Sequence, residues 1–439
     1  MQTYFGYEIS GACFNPAIAL AQFLGGNLGE SKKDFKTLGL YILVEMLGGF
    51  AGAIIGYMPR PSGIFCPEPN PYFNMGEVML NEFFWTTGIA YVVLTTMFTE
   101  ETKGKHYFGW AVGMMYGAAL GFGTISGYSF NPAVGVNMLI AAAIQKPDND
   151  DCADDNMKYI WIYALFPFIG AVAGWGLHRL TNGKHYGDGK FDKIAPYVQE
   201  FVGTFFICYT LGSSSVINNM LSVMFYVGGV VTAMVFCGGH VSGGQYNPAV
   251  SLGVFIRGSQ TIIKTLIFWG MQCLGAFTGA FMAYLVTRYG SSKGSDFLDN
   301  GGTALVPPAP HLEGNGKTDL GGIILLELVF TFAVTFAFLA TTTAEEVAAN
   351  SFFGYAVGFA SFVYGAVGIG GAFNPASWLG LNIVYAFHEN GDPFADFWAY
   401  WIAEFVGGAL AALLFRWLMD IQGKVGTTVQ PIVVAQRSG

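Results

Sequence analysis

"VSGGQYNPAVSLG", residues 241–253, sets Asn and Pro side by side within an otherwise apolar run, shortly after three small residues. Asn is a strong helix N-cap, and Pro is well tolerated in a first helical turn. The stretch therefore predicts a short helix that begins here. It is not alone: "SGACFNPAIAL" stands at 10–20, "SGYSFNPAVGV" at 126–136 and "GIGGAFNPASWLG" at 368–380. A single copy reads as a capped turn. Four copies at comparable positions read as a repeated device, built on Asn15-Pro16-Ala17, Asn131-Pro132-Ala133, Asn247-Pro248-Ala249 and Asn374-Pro375-Ala376.

The surroundings say where the device sits. The chain is 53% hydrophobic and 11% charged, against about 25% charged in soluble domains. Apolar stretches long enough to cross about 30 Å of hydrocarbon need roughly 20 residues. They are expected near 38–57, 77–98, 107–124, 158–180, 197–215, 219–238, 264–287, 320–340, 352–367 and 397–418. The Asn-Pro-Ala stretches are too short to cross. A helix start at membrane depth must be buried in protein or face a watery cavity, because lipid cannot satisfy its backbone. The fold class expected is an all-α, multi-pass integral membrane protein with re-entrant half-helices. The net charge of −9 and the lack of a long basic stretch argue against a nucleic-acid binder. The sequence opens on a polar stretch rather than a cleavable signal peptide.

Spacing organises the repeats. "EFVGT" opens at Glu200 and Asn247 follows 47 residues later; "ELVFT" opens at Glu327 and Asn374 again follows 47 later. "EFFWT" opens at Glu82, with Asn131 49 residues on. The unit is Glu-x-x-x-Thr on one span, a second span, Asn-Pro-Ala, then a third span. Three spans per unit make consecutive units face opposite ways, with the functional centre expected at the midplane between them.

These residues resemble the aquaporin (major intrinsic protein) family. The resemblance implies six spans and two half-helices that meet at the bilayer centre, and residues 197–420 carry that whole pattern. Residues 1–180 resemble a second copy without its first two spans, since nine residues precede "SGACFNPA". A linker at 181–196 and a tail at 421–439 complete the expected division, with about ten spans and four half-helices in all. The family orientation puts Lys32, Lys33, Lys36, Arg179, Lys184, Lys190, Lys193, Arg416, Lys424 and Arg437 on the cytoplasmic side. Loop 145–158, with Asp148, Asp150, Asp151, Asp154 and Asp155, falls opposite, as the positive-inside bias requires. That acidic run reads as a solvated loop. Cys66 and Cys152 share its side, which suggests a disulfide between them; two free thiols are the alternative. Cys13, Cys208, Cys237 and Cys273 fall in apolar segments and read as packing residues.

The resemblance also implies roles. Asn247 and Asn374 would donate amide hydrogens to a passing oxygen, cap and lock the half-helices, or both. Glu82, Glu200 and Glu327 would accept hydrogen bonds from irregular loop backbone, with a proton relay as the competing reading of intramembrane carboxylates. Glu45 and Glu404 inherit no role, and Glu404 stands where the first unit has Pro167. Many family members carry Arg directly after the second Asn-Pro-Ala; here Ser377 stands there, and Val134 in the first unit. With Val227, Phe362 and Gly371, Ser377 would form a wide, uncharged filter. That set admits larger neutral solutes, relaxed filtering, or a pore closed by other side chains.

Function follows as a passive channel for water or small neutral solutes such as glycerol, through the second unit. The alternative is a non-conducting, aquaporin-derived subunit of a larger membrane assembly. An ion-coupled transporter would want midplane charges where Asn stands. No nucleophile–base set, metal spacing or phosphate loop points to an enzyme, and no cofactor is expected. The expected partners are the lipid bilayer, the solutes, and further copies or other membrane subunits covering the first unit.

Overall fold

In the computed structural model, residues 2–28, 34–58, 66–145, 155–187, 189–217, 219–292, 320–344, 350–367, 372–387, 393–394 and 396–421 are described. Gly371, Cys152 and the tail after 421 lie outside them. Helices dominate: α1 (2–10), α2 (16–25), α3 (35–57), α4 (75–93), α5 (108–121), α6 (132–145), α7 (160–181), α8 (195–212), α9 (220–238), α10 (248–257), α11 (262–292), α12 (320–342), α13 (353–367), α14 (375–385) and α15 (397–421). A helix stands at each of the ten places where a span is expected. Seven are long and apolar enough to cross a membrane by length and composition. The other three are α5 and α13, of 14 and 15 residues, and α8, which buries the polar Gln199 and Glu200.

The four short helices α2, α6, α10 and α14 each begin at the Pro of an Asn-Pro-Ala triplet. In every copy the Asn side chain accepts from the Ala N–H two residues on, at 3.0, 2.9, 2.9 and 3.1 Å. That satisfies one of the donors a helix start leaves open. Gly26 and Gly258, both left-handed, end α2 and α10.

Packing follows an internal two-fold. In the second unit, α8 lies on α11 and α12 on α15, while α9 crosses α13. Each half-helix rests on the last span of the opposite half: α10 on α15, α14 on α11. The first unit repeats this with α4 on α7, α6 on α3 and α2 on α7. Small residues make the closest approaches. A Cβ at Gly275 or Gly279 would lie 2.4 or 2.2 Å from the carbonyls of Phe201 and Phe205 on α8, and Gly170 and Gly174 approach α4 in the same way. Without lipid-phase hydrophobic drive, such close backbone contact is what joins membrane helices.

The two units meet where α7 approaches α8 and α4 approaches α11, and also through α5. It packs on α9, Tyr107 stacking on Phe236 at 4.1 Å and Trp110 meeting Tyr355 edge-on. On the other side of α5, Tyr4 and Tyr7 of α1 pack against Phe108.

Candidate functional site

The residue before each Asn has a left-handed backbone: Phe14, Phe130, Tyr246 and Phe373 have φ of 49, 50, 52 and 51°. For an L residue this costs about 1–2 kcal/mol. The conformation recurs because it aims both backbone groups usefully. Inward, the N–H of Phe130, Tyr246 and Phe373 donates to Glu82, Glu200 and Glu327 at 2.7, 2.6 and 2.8 Å. Outward, each carbonyl accepts from the Asn of the opposite half-helix. Asn247 Nδ2 donates to Phe373 O at 2.8 Å, and Asn374 Nδ2 to Tyr246 O at 2.9 Å. The first unit repeats the cross, Asn15 to Phe130 O and Asn131 to Phe14 O, both 2.9 Å.

The three spaced glutamates therefore act as acceptors for loop backbone in this structure. Glu200 takes the most: Ser242 Oγ at 2.5 Å, Gln245 N at 3.0 Å, Tyr246 N, and Gln272 Nε2 at 2.8 Å. Glu327 accepts from Ala372 N and Phe373 N, both 2.8 Å, and Glu82 from Ser126 Oγ and Phe130 N. All three are fully buried. Glu45 has a kindred place, accepting from Asn15 N at 3.2 Å, and Glu404 is buried beside Glu327 and the Asn374 backbone. Gln272 and Ser242 were not singled out from sequence. A signal existed: Glu45, Pro167, Gln272 and Glu404 each stand three residues before a glycine (Gly48, Gly170, Gly275, Gly407) on the last span of a half.

The junctions of the two units differ in what remains free. An Asn amide has two hydrogens. Asn15 gives its second to Tyr116 Oη at 3.0 Å and is fully buried. Asn247 and Asn374 each give one to the facing carbonyl and stay 7% and 9% exposed. Each amide of the second pair keeps one hydrogen free for a further acceptor. Phe14 is 50% exposed, whereas Tyr246 at the same repeat position is 2% exposed. Tyr246 is covered by α8 and α9, where Gly203 and Gly238 leave room for its ring. Val134 is likewise 37% exposed against 1% for Ser377.

The expected filter positions are placed as follows. Val227 is buried on α9, next to Gly228, whose added Cβ would lie 2.7 Å from Phe362 Cβ. The Phe362 ring packs edge-on against Phe225 and Phe359. Ser377 turns its hydroxyl to Cys208 on α8, which donates to it at 3.3 Å. Val227 and Phe362 thus share the α9–α13 crossing, and Ser377 faces α8. Cys66 is disulfide-bonded, and Cys13, Cys208, Cys237 and Cys273 are free.

Comparison with known proteins agrees with this architecture. The model of the major intrinsic protein family matches residues 1–178 and again 190–415. Aquaporin PIP1-2 of Musa acuminata subsp. malaccensis is 32% identical over 233 residues, spanning 49% of this chain and 76% of its own length. Probable aquaporin PIP1-5 of Arabidopsis thaliana is 32% identical over 236 residues, 49% of this chain and 76% of its own. Among solved structures, the aquaglyceroporin from Plasmodium falciparum aligns at 20% identity and a TM-score of 0.43, over 51% of this chain and 98% of its own. The chain belongs to the major intrinsic protein family. It is an integral, multi-pass membrane protein of a channel family, and not an enzyme.

Proposed function

We propose that residues 197–420 form a passive channel for water and small neutral solutes, with its constriction at Asn247 and Asn374. The observation that carries this reading is the crossed pair of amides, each with one hydrogen uncommitted and both at half-helix N-termini. Facing N-termini hold partial positive charge at the midplane, which disfavours cations. A solute oxygen accepting from both amides has its lone pairs engaged, so a proton cannot pass along that point. Apolar walls elsewhere keep binding weak and transit quick. Without Arg at Ser377, the entrance admits neutral solutes larger than water, glycerol being the first to try.

The first unit, residues 1–180, is inferred to be non-conducting. Asn15 has no free amide hydrogen, one going to Phe130 O and the other to Tyr116 Oη. Further copies of this chain, or another membrane subunit, would cover the first unit. Cys66 is proposed to pair with Cys152.

Stopped-flow light scattering of proteoliposomes tests the channel. Fast shrinkage in water and glycerol gradients is expected, and Asn247→Asp with Asn374→Asp should abolish it. Rates equal to those of protein-free vesicles, from folded protein, would leave the structural-subunit reading standing instead.

A further inference from the structure

Of the four residues that precede Asn-Pro-Ala, three are Phe and one is Tyr. The odd one, Tyr246, lies in the second unit, and its hydroxyl is tied to the first. Gln199 Nε2 donates to Tyr246 Oη at 2.7 Å, and Tyr246 Oη donates to Met234 O at 2.7 Å. The other end of Gln199, its Oε1, accepts from the hydroxyl of Tyr91 on α4. Thr181, at the end of α7, lies 3.2 Å from Tyr91 Oη and accepts from Asn182 Nδ2 at 2.9 Å. Asn182 Oδ1 is 2.6 Å from His240 Nε2. The one hydroxyl hydrogen of Tyr91 goes to Gln199, and that of Thr181 goes to Leu177 O at 2.9 Å, so Thr181 and Tyr91 lie side by side rather than as donor and acceptor. From Tyr91 through Gln199 and Tyr246 to Met234 O every donor points the same way, and such a chain is mutually polarising.

Tyr91, Gln199 and Tyr246 are all buried, and the His240 ring is half-buried. The hydroxyl of Tyr246 is not needed merely to fill space, since Phe occupies its position in the other three copies. What Tyr246 adds is an anchor. Its backbone is the crossing point of the second unit: its N–H is held by Glu200, and its carbonyl receives the Asn374 amide. A group that fixes the ring also fixes where that carbonyl points, and hence where the remaining Asn374 hydrogen is presented.

We propose that Tyr91 of the first unit is a positioning residue for the pore of the second, acting through Gln199 on Tyr246. The first unit is, on this view, a brace for its neighbour's constriction. The proposal rests on the channel reading only for its effect on transport. Its structural half is testable without transport.

Tyr91→Phe removes one hydroxyl and keeps the ring. Amide hydrogen exchange should quicken at least tenfold at Gln245 and Tyr246, which bond to Glu200, and stay unchanged at Ala372 and Phe373, which bond to Glu327. Water permeability should fall at least threefold. In a Tyr246→Phe background, Tyr91→Phe should add no further change to either. Unchanged exchange at Gln245 and Tyr246 overturns the proposal. So does equal quickening at Ala372 and Phe373, which marks general loosening, and so does full additivity of the two substitutions. If wild-type protein does not conduct but the exchange pattern responds as described, the brace stands and the channel reading fails.

Discussion

Removing the carboxylate of Glu200 should cost stability by an amount that counts loop donors. Its four partners are not equivalent. Ser242 Oγ can turn its hydrogen elsewhere, and already accepts from Gly244 N at 3.1 Å. Gln272 Nε2 keeps Ser251 Oγ at 2.9 Å. The N–H groups of Gln245 and Tyr246 have no alternative and are buried. Leaving a buried donor unpaired costs about 1–3 kcal/mol, so Glu200→Ala should lose about 2–6 kcal/mol, towards the lower end if water enters the space. Glu200→Gln keeps one acceptor oxygen. Whichever way its amide turns, its NH2 faces one of the two backbone donors, and the loss should be about 1–3 kcal/mol. The order wild type, Gln, Ala is thus fixed by counting unpaired N–H groups. Equilibrium unfolding in mixed micelles measures it. Should Glu200→Gln match wild type in stability while its transport loses a dependence on proton gradient, the acceptor argument is wrong and the carboxylate handles protons.

Other perturbations probe separate parts of the fold. Gly358→Val should destabilise by roughly 3 kcal/mol or more, since its Cβ would lie 1.9 Å from Thr232 Oγ1 and 2.5 Å from Gly228 O; normal melting of this variant would mean that α9 and α13 can part. Desolvation of its half-buried ring, and secondarily Lys184, pushes the His240 imidazole down to about 4. The unfolded chain, titrating near 6.5, then binds the extra proton first, so melting temperature should fall as pH drops from about 6.5 to about 4. His240→Gln, which keeps a donor for Asn182, should flatten that fall; an identical pH profile would remove His240 as its cause. Cys66→Ser should cost about 2–4 kcal/mol, and a non-reducing peptide map should join Cys66 to Cys152; Cys66 recovered with another partner would refute that pairing.

Much of this was legible because the same residues do the same work four times. Asn followed by Pro announces each half-helix, and Glu 47 or 49 residues earlier announces the acceptor of three of them. Side-chain direction was less legible. Ser377 was placed by counting from Asn374, yet its hydroxyl meets Cys208, a contact between residues 169 apart. Counting puts Phe362 in a filter, and its ring packs with Phe225 and Phe359. Counting gives the turn of a helix on which a residue lies. The face is settled by the neighbours, and spans that are apolar all round carry little periodicity to show it. The link through Tyr91 and Gln199 was invisible for a further reason: it joins the units, and the internal repeat says nothing of how one unit meets the next.

Repetition also accounts for Glu404. It matches Gln272: both stand three residues before a glycine on the last span of a half, facing a loop-binding glutamate. Gln272 donates to Glu200. Neither oxygen of Glu404 makes a hydrogen bond in this structure, and Glu404 could donate to Glu327 only by carrying a proton, because two ionised carboxylates side by side repel. An amide at 404 would donate without that condition. Glu404→Gln should therefore be neutral or stabilising in the unfolding assay. Glu327→Gln should lose about 1–3 kcal/mol, because one of Ala372 N and Phe373 N would face an NH2 group. Equal losses from the two substitutions would break the equivalence with Gln272 and show that Glu404 is itself an acceptor, holding the Asn374 backbone as Glu45 holds that of Asn15.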